Sequence, residues 1–158
     1  MATTCYVTTL KAMNMVQVYI KGQEDKELSS FLRYYPVRIK NIGMDAFFDR
    51  QVIYDFKDGR NHADVAKCVA KMLIKVVGER TAVHGTKVKK DERAKRLKEK
   101  NNIEVDANFF KNKIVCIWDD VVTTGTSFCA YTAQLEQVGA HVTNGIFLGK
   151  TSYKYVQQ

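Results

Sequence analysis

With 158 residues, 46% of them hydrophobic and 11% aromatic, the chain has the size and composition of one globular domain able to bury a core, which excludes a disordered or low-complexity protein. No apolar run approaches the roughly 18 residues that span a bilayer, and the start, MATTCYVTTLKAMNMVQVYIKG, lacks the basic-then-apolar order of a secretory signal; no membrane association and a cytoplasmic location are expected. The net charge of +8 is unevenly placed: residues 101–158 carry four basic and five acidic side chains, while residues 87–100, KVKKDERAKRLKEK, carry eight basic and three acidic.

In chain order, TCYVTTL and MVQVYIKG have β-rich composition and suit a pair of strands with residues 11–14 between them. LSSFLRYYPVRIKN reads as a short helix or turn leading to Pro36, the only proline. QVIYDF reads as a strand, and KDGRN, with Asp58-Gly59 at its centre, as a turn. Asn61 then suits the N-cap of a helix from His62 to about Val77, with Ala66, Val69, Leu73 and Val76 on one face and Gly78 as its stop. Residues 81–102 have no apolar stripe. They read as a solvated charged segment, or as a basic surface for phosphates, nucleic acid or an acidic protein.

The stretch KIVCIWDDVVTTGTSFCAYTAQLEQVGA carries the clearest pattern. IVCIW is short, continuous and apolar, as expected of a strand buried on both faces of a parallel sheet. A helix begins at Ser127, places Phe128, Tyr131, Leu135 and Val138 on one stripe, and closes at Gly139; HVTNGIFLG is the next strand. Strand, helix and strand make a βαβ unit, whose crossover is expected to be right-handed. The four cysteines, Cys5, Cys68, Cys116 and Cys129, show no C-x-x-C spacing, and Cys68 and Cys116 read as buried small hydrophobes. His62, His84 and His141 have no companion at ligand spacing, so each reads as a surface or structural histidine.

Ligands of such a unit bind beyond the carboxyl ends of the strands, where Asp119 and Asp120 stand. Gly125 permits a tight turn before the helix, whose N-terminal amides and dipole favour an anion, and Thr123, Thr124, Thr126 and Ser127 add hydroxyls. The P-loop pattern with its lysine is missing, so the cradle suits a monophosphate. Two carboxylates beside it suit a vicinal diol. A sugar phosphate such as ribose 5-phosphate meets both needs.

Val115–Ser127, VCIWDDVVTTGTS, resembles the thirteen-residue phosphoribosyl-pyrophosphate motif of type I phosphoribosyltransferases. IYDFKDGRNHADVAKCVAKML and FFKNKIVCIWDDVVTTG are similar to segments of that family's competence-protein-F branch, although the branch's four-cysteine zinc module and its Pro-Val-Pro and Arg-Gly-Phe-Asn signatures are missing, and Trp118 replaces a small aliphatic residue. The resemblance implies an α/β fold with a Rossmann-like parallel sheet flanked by helices, a core over residues 51–158, and a small β-rich N-terminal hood over residues 1–50. It implies that Asp119 and Asp120 hold the ribose hydroxyls and aid catalysis, and that Val122, Thr123, Thr124, Gly125, Thr126 and Ser127 wrap the 5-phosphate. Substrate-bound Mg2+ would accompany the pyrophosphate, for which Arg80, Lys87, Lys89, Lys90 and Arg93 are lid candidates. It also implies a homodimer.

Three readings remain open at this point. The chain is a phosphoribosyltransferase that passes the phosphoribosyl group to a nitrogen nucleophile, or a non-catalytic regulator that senses 5-phosphoribosyl 1-pyrophosphate and binds nucleic acid or protein through residues 87–100, or a structural relic that binds neither.

Overall fold

The computed structural model describes residues 15–77 and 105–156, which form an α/β fold built on one mixed four-stranded sheet. In chain order the elements are β1 (Val16–Gln17), β2 (Glu27–Tyr34), α1 (Met44–Lys57), α2 (His62–Val77), α3 (Ala107–Phe110), β3 (Ile114–Val122), α4 (Thr126–Gln137) and β4 (His141–Thr151). The strand order is β1-β2-β4-β3. β1 pairs antiparallel with β2, whereas β2 and β3 each run parallel to β4. Among the described residues, no helix is long and apolar enough to cross a membrane.

β4 is the strand that is buried on both faces, with Gly145–Gly149 fully enclosed. Neighbouring residues of a strand point to opposite faces, and Ile146 and Phe147 accordingly belong to different cores. One core joins Phe31, Val52, Ile53, Val65, Val69 and Leu148 under α1 and α2. The other joins Val18, Ile20, Leu28, Val122, Phe128 and Leu135 under α4 and the β1–β2 connection. The two glycines of β4 let these layers close: a methyl at Gly145 would lie 2.6 Å from Phe128, and one at Gly149 would lie 2.5 Å from Ile53.

The βαβ unit expected from residues 113–151 is present as β3, α4 and β4, and the 62–77 helix has the expected bounds. Asp58 and Gly59 form the turn, with Gly59 at φ 83°. Asn61 also adopts a left-handed φ of 56°, and its carbonyl accepts from the Val65 amide. His62 packs against the Phe56 ring and meets its carbonyl, as a structural histidine does.

Several expectations are corrected. QVIYDF is the second half of helix α1, because Ala46, Val52 and Ile53 recur at helical spacing once Met44–Arg50 is included. LSSFLRYY is strand β2, held by parallel pairing of Glu27–Tyr34 with Asn144–Thr151. MVQVYIKG contributes only the two paired residues Val16 and Gln17. β3 lies at the sheet edge among the described residues, and Val115–Val121, Cys116 included, are half-buried. Among the described side chains of α2 the buried ones are Val65, Cys68 and Val69, with Ala66 exposed, and the expected Leu73 and Val76 lie outside them. In α4, Thr132 takes the buried place expected of Tyr131.

Residue 50 lies inside α1, and β2 sits between β1 and β4, so residues 15–50 contribute to the same sheet as β3 and β4. The expected first strand TCYVTTL, the stop at Gly78, His84 and the lid candidates Arg80, Lys87, Lys89, Lys90 and Arg93 lie outside the described residues.

Candidate functional site

The carboxyl ends of β2, β3 and β4 point the same way, because all three run parallel. At that end β3 turns through Thr123, Thr124 and Gly125 into α4. Gly125 is the N-cap residue of α4 in left-handed conformation, φ 86° and ψ 8°, and among the described residues no side chain caps the helix. The first amides of α4 therefore stay available to a ligand, at the end where the helix dipole is positive. Gly125 is buried under the Ile20 side chain, which fixes the turn from outside the loop.

A pocket of 160 Å³ opens here, lined by Asp119, Val121 to Phe128 and Phe147. Drug-sized ligands occupy pockets of about 300–1,000 Å³. At 160 Å³ this one has room for a small group only. All six loop residues expected to hold the phosphate, Val122 to Ser127, line this pocket, together with Asp119.

The two aspartates are not equivalent. Adjacent positions on a strand face opposite ways. Asp119 lines the pocket and its Oδ1 accepts the Asp120 amide at 2.8 Å. Asp120 turns toward α1: its Oδ2 lies 3.6 Å from Lys57 Nζ, and its Oδ1 accepts the Val121 amide at 2.7 Å. Asp120 does not line the 160 Å³ pocket.

Three of the four loop hydroxyls have partners. Thr123 Oγ1 shares a 2.8 Å hydrogen bond with Thr151 Oγ1, and Thr124 Oγ1 shares one of 2.9 Å with Thr126 Oγ1. The Thr123 carbonyl accepts from Lys150 Nζ at 2.7 Å. Burial lowers the Lys150 pKa. Lys57, Lys150, Thr151 and Ile20 are the site residues that sequence reasoning missed. Each reaches the motif from another part of the chain; Lys57 lies inside the KDGRN stretch and Ile20 inside MVQVYIKG, both of which the sequence marks for local structure alone.

A wider cleft of 510 Å³ lies between Met15, Gln17, Lys26, Glu27, Ser29 and Asn144, toward the amino ends of β2 and β4. Its charges are internally matched: Lys26 pairs with Asp25 at 3.0 Å and with Glu136 at 3.1 Å, and Glu24 accepts from Tyr19 and Gly22. These contacts pin the β1–β2 connection to α4, so that Ile20 is held over Gly125.

No protein-family model matches the chain, and comparison with curated proteins and with solved structures gives no match.

Proposed function

We propose that the chain is a phosphoribosyltransferase-like protein, with the Rossmann-like architecture of the type I enzymes, that binds 5-phosphoribosyl 1-pyrophosphate at the loop between β3 and α4. The observation that carries this reading is the uncapped N-terminus of α4 behind left-handed Gly125, opening into a pocket that Asp119 also lines. The resemblance of Val115–Ser127 to the phosphoribosyl-pyrophosphate motif supplies the ligand. The 5-phosphate accepts from the amides of Thr126 and Ser127 and from the loop hydroxyls, and the Asp119 carboxylate accepts from the ribose hydroxyls.

Transfer breaks the bond between the ribose C1 and the pyrophosphate oxygen, whose electron pair leaves with pyrophosphate. A ring nitrogen of the acceptor base forms the new bond to C1 and loses its proton to solvent. Positive charge grows on the sugar in between, and Asp119 stabilises it electrostatically. Asp120, tied to Lys57, contributes negative potential from the other face of β3.

Magnesium would come as an ion carried by the substrate, near the Asp119 carboxylate that lines the pocket. When bound, it supplies charge neutralisation to the pyrophosphate. Arg80, Lys87, Lys89, Lys90 and Arg93 remain the proposed pyrophosphate contacts, and a cytoplasmic homodimer the proposed form.

The basic run at residues 87–100 and the missing pyrophosphate-loop signature favour a second reading, a regulator that binds the same ligand without turnover. Pyrophosphate release, followed with magnesium and a panel of purine and pyrimidine bases, separates the two. Base-dependent release that Asp119→Asn abolishes supports the transferase. Binding without release from any base rules the transferase out in favour of the regulator.

A further inference from the structure

Between Asp120 and Lys150 the sequence contains no lysine or arginine, so the phosphate loop brings no cation of its own. Lys150 supplies one from β4, where it stands in register with Val122 of β3 and Arg33 of β2. Its Nζ lies 2.7 Å from the carbonyl oxygen of Thr123, a residue of the pocket wall, while Lys150 itself stands beside that wall and outside the lining. The next residue, Thr151, holds the Thr123 hydroxyl at 2.8 Å, which fixes this wall on two sides.

An ammonium has three donors and no acceptor, and a single carbonyl satisfies one of them. Among the described residues no carboxylate lies within 4.0 Å of Lys150, whereas Lys57, the other nearby lysine, already pairs with Asp120. Burial without an opposing charge disfavours the charged form, and the Lys150 pKa is lowered for that reason. A half-buried cation with unfilled donors beside an anion cradle is matched by a ligand that carries negative charge there.

We infer that Lys150 is a direct cationic contact of the phosphate held by the Thr123–Ser127 loop, so that the site selects a phosphate monoester over a neutral sugar. This role rests on the site proposed above and adds to it a residue outside the motif. The bridging ammonium keeps its bond to the Thr123 carbonyl and donates one of its remaining protons to a phosphate oxygen.

The test is calorimetric titration of the full chain with ribose 5-phosphate and with ribose, for wild type, Lys150→Met and Lys150→Arg, with the ligand-free unfolding temperature of each recorded. Lys150→Met is expected to weaken ribose 5-phosphate by about tenfold to a hundredfold, the loss typical of one charge-assisted contact, at an unfolding temperature close to wild type. Lys150→Arg is expected to recover most of that affinity. Equal binding by wild type and Lys150→Met overturns the role of Lys150 while leaving the site standing. Failure of wild type to bind ribose 5-phosphate removes the site itself. Should Lys150→Met fold poorly, the wild-type Lys150 side-chain nitrogen resonance decides: a shift on adding inorganic phosphate supports the contact, and an unmoved resonance at saturation refutes it.

Discussion

Gly125→Ala is the smallest change that addresses how the loop is held. Two separate costs arise. The residue adopts φ 86°, where a side chain meets its own backbone at a cost of roughly 1–2 kcal/mol. The new methyl would also lie 2.6, 2.7 and 2.8 Å from Cδ1, Cγ2 and Cγ1 of Ile20. Three atoms of a β-branched side chain cannot all step aside by one rotamer change, so overpacking adds about 1–3 kcal/mol. The total of about 2–5 kcal/mol is a large part of the 5–15 kcal/mol that holds a domain of this size together. Urea unfolding of wild type, Gly125→Ala, Ile20→Ala and the double variant separates the two costs. With Ile20 truncated the steric part vanishes, and Gly125→Ala should then cost only about 1–2 kcal/mol. An equal cost in both backgrounds would refute the role given to Ile20, and a cost below about 0.5 kcal/mol in the wild-type background would refute the strain as well.

Three further outcomes are expected. Burial, followed by the neighbouring Asp45, raises the Asp49 pKa to about 6; because the folded value lies above the unfolded one of about 3.9, the contribution of Asp49 to stability is most favourable below pH 4, falls as pH rises toward 6, and stays lower above it. Asp49→Asn should remove that fall and be more stable than wild type at pH 7, by about 1–2 kcal/mol after screening of a half-buried group; unfolding midpoints at pH 4 and pH 7 that move alike in both proteins would contradict this. Lys57→Met should change stability by less than about 1 kcal/mol, because the pair with Asp120 is partly exposed on both sides, at 40% and 31%, and a loss above about 2 kcal/mol in urea would contradict it. Burial pushes the Cys116 thiol up to about 11, so iodoacetamide at pH 8 should label it far more slowly than a small-molecule thiol, and equal rates by mass spectrometry would count against the half-buried β3.

The legible part of the fold was local. The apolar run before Asp119, the glycine at 125 and the apolar run Gly145–Gly149 each announce their element within a few residues, and β3, α4 and β4 follow from them. β2 was hidden because Ser29 and Ser30 interrupt its apolar run, yet Ser30 is fully buried and its hydroxyl donates to the Leu32 carbonyl. What makes it a strand is β4, more than a hundred residues away. QVIYDF was misread because six residues are too few to separate a period of 2 from one of 3.6; the preceding turns of α1 decide it. In the site, the motif placed Asp119 and the loop residues together, but not the division of labour between the aspartates. That division depends on Lys57 of α1, just as the setting of the loop depends on Ile20, Lys150 and Thr151. These contacts join distant segments, and no short motif encodes them.

In the proposed function the loop and Asp119 together bind a phosphorylated ribose. Titration calorimetry of 5-phosphoribosyl 1-pyrophosphate with magnesium, beside ribose 5-phosphate, for wild type and Asp119→Asn tests it most directly. Wild type is expected to bind both ligands saturably and Asp119→Asn at least about tenfold more weakly, the loss of one charge-assisted contact to the sugar. No binding of either ligand by wild type, or equal affinity in the variant, would contradict it.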